Sequence, residues 1–225
     1  MELKAKHYQN CLEEVLNLDE YGLPDQAIKK AEEIAEQALK VGDDGYAKFF
    51  QAEALCLQGK LKEGLKLEAD AVSILNDVTF IQVNYGVLLS MTGHVKKALL
   101  HLDIALENDP NNLQALAQKG VCLAKLSRYD EGLVCFNRIL EIDPKNAHAI
   151  RNKGVCLSNL YHEDEALEHF ERALDMNPKD THAKSEKRIL KDELELRRTP
   201  LGWLAYKIRK SLLPKLRALK LRLFD

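Results

Sequence analysis

Apolar residues recur along most of this chain at steps of three and four, which is the spacing of one face of an α-helix. Between residues 113 and 146, Leu116, Leu123 and Leu126 share one such face. After the short polar stretch 127–129, Leu133 and Phe136 begin another. Strict alternation of apolar and polar residues, which would predict strands, is absent from these segments. The pattern therefore predicts an all-α protein built from pairs of helices.

The helix pairs repeat with a fixed period. Prolines and glycines recur every 34 residues, at Pro110, Pro144 and Pro178 and at Gly86, Gly120 and Gly154. Residues 113–146 and 147–180 are identical at 15 of 34 positions. A period of this length predicts a solenoid, in which each unit buries its apolar face only against its neighbours.

The repeated glycines fall in the middle of predicted helices, where glycine costs about 1 kcal/mol relative to alanine. A cost repeated at one position needs a structural reason, and the simplest is a close approach of two helix backbones. Small residues at Ala98, Gly132 and Ala166 would supply the other side of that contact. The repeated prolines would end the second helix of each pair, and Asn112 and Asn146 would then cap the next helix.

These positions together resemble the tetratricopeptide repeat. The repeat that carries Gly86 and Pro110 also has Ala98, Leu102 and Ala105 where the family has small and large apolar residues. The next two repeats keep the pattern, with Gly120, Gly132, Phe136 and Pro144, and with Gly154, Ala166, Phe170, Ala173 and Pro178. The resemblance covers 79–180 and implies a right-handed superhelical solenoid of antiparallel helix pairs with a concave groove.

The repeat register divides the chain into a solenoid, 1–198, and a tail, 199–225. The predicted units are 5–42, 45–78, 79–112, 113–146 and 147–180, followed by a capping helix at 181–198. The first two units match the repeat only weakly, as expected for the end of a solenoid, which must present one face to water. The tail is predicted to be a basic amphipathic helix that starts at Thr199-Pro200 and is kinked or broken by Pro214.

Composition and charge refine this picture. Hydrophobic residues make up 46% and charged residues 30%, which is typical of a globular protein, and no apolar run is long enough to span a bilayer. The first ten residues lack the apolar core of a signal peptide, so we expect a cytoplasmic protein. The net charge of −2 hides a division, because 1–180 carries 20 basic and 30 acidic residues whereas 201–225 carries seven basic and one acidic.

No catalytic arrangement emerges from the sequence. There is no G-x-S-x-G motif and no phosphate-binding glycine loop. The pairs His94/His101 and His162/His169 are seven residues apart, which does not suit metal ligands on one helix. The five cysteines contain no C-x-x-C motif and are expected to be reduced and mostly buried. We therefore expect a protein that is not an enzyme, with no catalytic residue, metal or cofactor.

In the family that the repeats resemble, the first helix of each pair lines the groove. The corresponding positions are Tyr46, Phe49, Phe80, Val83, Asn84, Val87, Met91, Gln114, Gln118, Val121, Lys125, His148, Arg151, Asn152, Val155 and Asn159. Of these, only Asn84 fits the clamp with which some relatives hold the C-terminal carboxylate of chaperones, so no such clamp is predicted. The groove is expected to be apolar in its N-terminal half and amide-rich and weakly basic in its C-terminal half. That character suits an amphipathic helix or an extended peptide of another protein.

The tail combines a leucine stripe with basic residues. The residues expected to dock or to contact a membrane are Trp203, Leu204, Lys207, Ile208, Arg209, Lys210, Leu212, Leu216, Arg217, Leu219, Lys220 and Leu223. Such a stripe requires a partner, and three are open: the solenoid itself, an anionic membrane surface, and a partner protein or a second copy of the chain. Nucleic acid is disfavoured because nothing in the tail would read bases.

The sequence thus predicts a non-catalytic scaffold or adaptor that binds a peptide or helix of another protein in its groove. The alternative is a peripheral membrane adaptor anchored by the tail.

Overall fold

The protein is described by a computed structural model, which defines residues 2–208. In this range all the regular elements are helices: α1 Glu2–Glu20, α2 Pro24–Lys40, α3 Asp44–Leu57, α4 Leu61–Ile74, α5 Thr79–Met91, α6 Val95–Asn108, α7 Leu113–Lys125, α8 Tyr129–Ile142, α9 Ala147–Asn159, α10 Glu163–Met176 and α11 Thr181–Arg197. Residues 200–208 are also helical, and we call them the tail helix. The connections from α1 to α11 have only three or four residues, so consecutive helices run antiparallel. The predicted all-α stack of helix pairs is confirmed.

The predicted helix ends are present where the sequence placed them. The helices α6 and α8 stop two residues before Pro110 and Pro144. The side-chain oxygens of Asn112 and Asn146 each accept a hydrogen bond of 3.0 Å from the backbone N–H three residues later, at Ala115 and Ala149. These bonds satisfy backbone donors that the first turn of a helix leaves without a partner inside the helix.

The mid-helix glycines mark close approaches between paired helices, as the sequence predicted. A Cβ atom at Gly86 would lie 2.8 Å from Cγ of Leu102 and 3.4 Å from the carbonyl oxygen of Ala98. At Gly154 it would lie 2.8 Å from a ring carbon of Phe170 and 3.3 Å from the Ala166 carbonyl oxygen. Any larger residue at these glycines would push the two helices of the pair apart.

The chain divides into two compact units, the first ending at Cys122 and the second starting at Leu123. In the first unit, consecutive helices from α1 to α6 pack on one another around a core that includes Phe49, Phe50 and Ile81. In the second unit, α8 to α11 pack in the same way, and Phe170 and Leu190 are buried at the centre of one core cluster. Among the described helices, none is both long and apolar enough to cross a membrane.

Candidate peptide-binding surface

A row of aromatic rings joins the first helices of the first unit. The ring of Tyr46 in α3 stacks on that of Tyr8 in α1 at 4.0 Å between centroids, and its other neighbour is Phe80 in α5 at 6.5 Å. Phe49 meets Phe80 edge-on at 5.6 Å. Because aromatic rings pack in defined orientations, this row fixes the spacing of α1, α3 and α5.

Polar contacts hold α1 in place beside α3. The Tyr8 hydroxyl donates a hydrogen bond of 2.9 Å to Oδ2 of Asp43, and the Lys4 ammonium lies 2.6 Å from Oδ1 of the same carboxylate. Burial, reinforced by the bond to Asp43, raises the pKa of Tyr8 above its usual value. The bond from Lys4 lowers the pKa of Asp43, which stays ionised at neutral pH. The Asp43 carboxylate, which accepts from Tyr8 and pairs with Lys4, therefore anchors the start of α1 beside α3.

An open cleft of about 620 Å³ lies between α1 and the start of α5. Its lining is mixed, with apolar groups and amides beside charges of both signs: Glu2, Ala5, Lys6, Gln9, Asn10, Glu13, Asp77, Val78, Thr79 and Phe80. A mixed lining of this kind offers both apolar contact and hydrogen-bond partners to a peptide backbone.

Three residues predicted to line the groove are instead part of the core. Tyr46 is 4% exposed, Val83 1% and Phe49 0%. They lie where neighbouring first helices pack on each other, and the ring of Tyr8 covers Tyr46. The prediction that these three side chains face a ligand is therefore wrong.

The other predicted groove residues of the first unit lie nearer the surface. Phe80 is partly buried and lines the cleft, and Met91 at the end of α5 is 63% exposed. Of the rest, Gln114 is exposed, while Asn84, Val87, Gln118 and Val121 are partly buried.

In the second unit the predicted groove residues differ in how exposed their side chains are. Lys125 and His148 are exposed, and Asn152 is partly buried. Val155 packs against the core cluster of Leu157 and Phe170. Asn159 donates a hydrogen bond of 2.9 Å to the Val155 carbonyl oxygen within its own helix.

Arg151 is engaged by its own unit. Its guanidinium donates a hydrogen bond of 2.9 Å to Oδ2 of Asp180, whose other oxygen accepts from the backbone N–H of Ala183 and caps α11. Burial acts to raise the pKa of Asp180, but the bond from Ala183 and the charge of Arg151 outweigh it and hold the pKa low. Arg151 therefore ties α9 to the cap of α11, which corrects the prediction that it makes the groove basic.

The cleft also includes residues that the repeat register did not identify. Ala5, Gln9 and Glu13 of α1 face it, and none belongs to the 34-residue pattern. Their spacing of four is the available signal, since it places three side chains on one helical face, next to the face that buries Tyr8, Leu12 and Val15.

Four of the predicted tail residues are described. Trp203, Leu204 and Ile208 are each about half exposed, and the Lys207 ammonium lies 4.0 Å from the Trp203 ring centroid. The other predicted contacts, Arg209, Lys210, Leu212, Leu216, Arg217, Leu219, Lys220 and Leu223, lie outside the described residues, as does Pro214.

None of the five cysteines, all within the described residues, forms a disulfide, and three of them are buried. Burial raises the pKa of Cys56 and of Cys156 to about 12, so both remain thiols at neutral pH. Within residues 2–208, no group of three His, Cys, Asp or Glu side chains is arranged to hold a metal ion.

Comparison with known proteins identifies the repeats. Models of the tetratricopeptide repeat match 113–146 and 147–180. No curated protein matches the sequence. Among solved structures, the chain is similar to YrrB, described as a TPR protein with an unusual peptide-binding site (TM-score 0.61, 23% identity, 82% of this chain and 99% of that one). It is also similar to a tetratricopeptide repeat protein from Parabacteroides merdae ATCC 43184, with a TM-score of 0.65 and 20% identity over 82% of this chain and 72% of that one. A third similar structure is the first TPR of Spaghetti (RPAP3) bound to the HSP90 peptide SRMEEVD, with a TM-score of 0.50 and 18% identity over 52% of this chain and 93% of that one.

Proposed function

Because this chain is a tetratricopeptide-repeat protein, we propose that it is a non-catalytic scaffold that binds a peptide or a helix of another protein on the surface formed by α1, α3 and α5, the first helices of the pairs in its first unit. The repeats support the general role, since the family generally consists of interaction scaffolds. Two of the similar structures are described through their peptide sites, which makes a peptide the natural ligand class for this fold.

The observation that carries the proposal is the cleft between α1 and the start of α5. Phe80 lines the cleft and stacks with Tyr46, which in turn stacks on Tyr8, so a row of rings holds α1 and α5 on either side of the cleft. A preformed site loses less conformational entropy when a ligand binds.

The chemistry of the cleft favours a peptide with both apolar and polar side chains. Val78 and Phe80 supply apolar contact, and Gln9 and Asn10 can bond to a peptide backbone. Lys6 shares the cleft with three carboxylates, Glu2, Glu13 and Asp77. A bare C-terminal carboxylate would meet more negative than positive charge there, so we propose an internal segment of the partner as the ligand.

We also propose that the protein acts in the cytoplasm. The absence of disulfides among the five cysteines supports this, since proteins of oxidising compartments usually form them.

The experiment is to select binders from a peptide library displayed on phage and to measure their affinity by calorimetry. The test variant is Ala5→Arg with Gln9→Arg, which fills the cleft with two long side chains on a helix that tolerates arginine. The control is Leu100→Arg with Ile104→Arg, because these two side chains are already exposed on α6, the second helix of its pair. We expect affinity to fall at least about tenfold in the test variant, a loss of about 1.4 kcal/mol, and to stay within about twofold in the control. Equal affinity of both variants for every selected peptide, or a failure to select any, would count against the cleft.

A further inference from the structure

The cleft between α1 and the start of α5 carries more negative than positive charge. Its lining includes three carboxylates, at Glu2, Glu13 and Asp77, and one ammonium group, at Lys6. All four side chains are exposed, and none of the three carboxylates forms an ion pair with another described residue. Lys6 can offset one of these charges, so two negative charges are left for a ligand to neutralise.

The carboxylates of α1 stand at the two ends of one wall of the cleft. Glu2 and Glu13 lie within about 20° of each other around the helix axis and roughly 16 Å apart along it. Lys6 and Gln9 lie between them on the same face. A positive charge on a ligand is therefore attracted to the ends of this wall and repelled near Lys6.

The wall at the start of α5 supplies most of the apolar contact. Val78 and Phe80 line the cleft there and are partly buried. Asp77 comes directly before them in the chain, so a carboxylate also stands beside this apolar surface. A ligand that complements both walls has an apolar side chain and more than one basic side chain.

The polar side chains of the cleft favour an extended ligand over a helical one. Gln9, Asn10 and Thr79 line the cleft, and each side chain can both donate and accept hydrogen bonds. The backbone N–H and C=O groups of an extended peptide need such partners, whereas most of those in a helix are already paired within the helix. The ligand that fits is therefore an extended segment.

The alternation of side chains along an extended segment sets its pattern. The distance of roughly 16 Å between the ends of the α1 wall equals about five residues, each rising about 3.3 Å. Successive side chains point to opposite sides, so two basic side chains that both face α1 are an even number of positions apart, either four or six. The side chains that face α5 are those at odd positions between them.

We propose that the cleft selects an extended segment of a partner protein with two basic residues, four or six positions apart, and an apolar residue between them. The basic side chains pair with Glu2 and Glu13, and the apolar side chain packs on Val78 and Phe80. This inference rests on the proposed function, because it requires the cleft to be the peptide site. It adds the chemistry of the partner, since such a cleft accepts a basic segment and rejects an acidic one.

The test is a peptide array probed with the full chain. The peptides have blocked ends and two test positions, four or six apart, which hold Arg in one set, Gln in the second and Glu in the third. The remaining positions vary among Leu, Phe, Ser and Thr and are the same in all sets. By calorimetry, we expect the best Arg peptides to bind about tenfold more tightly than the matching Gln peptides, at roughly threefold for each basic residue, and the Glu peptides to bind most weakly. Raising salt from about 0.1 M to about 1 M should remove most of this preference.

Variants of α1 test whether its carboxylates cause the preference. The charge variant is Glu2→Gln with Glu13→Gln, and its control is Asp19→Asn with Glu20→Gln, which removes the same charge from exposed positions of α1 outside the cleft. The charge variant should reduce the preference for Arg over Gln to about threefold at most and bind the Gln peptides as before. The control should keep the tenfold preference.

The outcomes separate this inference from the proposed function. If Ala5→Arg with Gln9→Arg weakens binding of the Gln peptides, but Gln or Glu peptides bind the original chain as tightly as Arg peptides, the cleft is the peptide site and the basic partner is wrong. An equal preference for Arg in the charge variant and its control would also overturn the inference. If no set binds, or if Ala5→Arg with Gln9→Arg leaves the binding of every set unchanged, both proposals are wrong.

Discussion

Two carboxyl side chains lie between the helices of the first unit: Glu68 of α4, which is buried, and Glu53 of α3, which is partly buried. Glu68 is 1% exposed, and its Oε1 atom has no hydrogen-bond partner. Burial raises the pKa of Glu53 to about 7. Burial and the charge of Glu53 raise the pKa of Glu68 well above its usual value. Both groups therefore hold their protons more tightly in the folded chain than in the unfolded chain.

This pair predicts an unusual pH dependence of stability. A group whose pKa is higher in the folded state gives its full stability below its unfolded value near 4.5, and that stability is lost as the pH rises toward the folded value. The free energy of unfolding should therefore fall as the pH rises above about 4.5, up to about pH 7 on account of Glu53, and Glu68 should add to the fall in the same direction. Urea unfolding of the full chain at several pH values measures this.

The variant Glu68→Gln should remove part of this loss, because a neutral amide of the same shape needs no proton. We expect it to be more stable than the original chain by about 1–2 kcal/mol at pH 8 and similar to it at pH 5. Glu63→Gln, at an exposed position of the same helix, is the control and should change little. Equal effects of the two variants at pH 8 would refute the buried-pair explanation.

For single residues, the sequence predicts close helix packing better than it predicts which polar side chains are buried. The roles of Gly86 and Gly154 follow from their repetition, and the structure confirms them. Nothing in the 34-residue pattern marks Glu68, because its burial depends on which side chains of the neighbouring pair surround it. The repeat register places Tyr46 and Phe49 in the groove because a repeat position gives the face of a helix but not what covers that face.

The turns that join the two helices of a pair, from α3–α4 to α9–α10, keep one backbone conformation. Their left-handed residue recurs every 34 residues, as Gly59, Gly93, Ser127 and Tyr161, with φ between 62° and 86°. Glycine adopts this conformation freely, whereas other residues pay roughly 1 kcal/mol for it. The later turns thus keep the geometry of the repeat at some cost in stability.

Ser127→Gly should relieve that strain and stabilise the second unit by about 0.5–1 kcal/mol. The reciprocal variant Gly59→Ala should destabilise the first unit by about 1–2 kcal/mol, since no atom lies within 4 Å of the added methyl group and only the backbone is strained. Thermal unfolding followed by circular dichroism measures both changes. A loss of stability in Ser127→Gly would show that the left-handed turn is not strained.

The surroundings of the first helix pair are the part of the fold that the sequence predicts least. The sequence predicts a helix pair there, and α1 and α2 form it. The contacts of α1 beside α3 and the cleft between α1 and α5 involve Tyr8, Asp43 and Phe80, which lie far apart in the sequence and share no motif. The cleft could therefore not be predicted, because it is formed by an element outside the regular repeat.

For the molecule as a whole, charge is divided along the chain. The acidic 1–180 holds the surface of α1, α3 and α5, where we propose that a peptide binds, whereas 201–225 carries seven basic residues and one acidic residue. Variants of the cleft should therefore change the peptide affinity, and variants of the tail should leave it unchanged.

Hydrogen–deuterium exchange of the full chain with and without a selected peptide tests the central claim most directly. We predict that the peptide slows exchange in α1 and α5, which form the cleft, and leaves the second helices α2, α4 and α6 at their original rates. Slower exchange confined to those second helices, or no change in α1 and α5 at a saturating peptide concentration, would contradict binding at the first-helix surface.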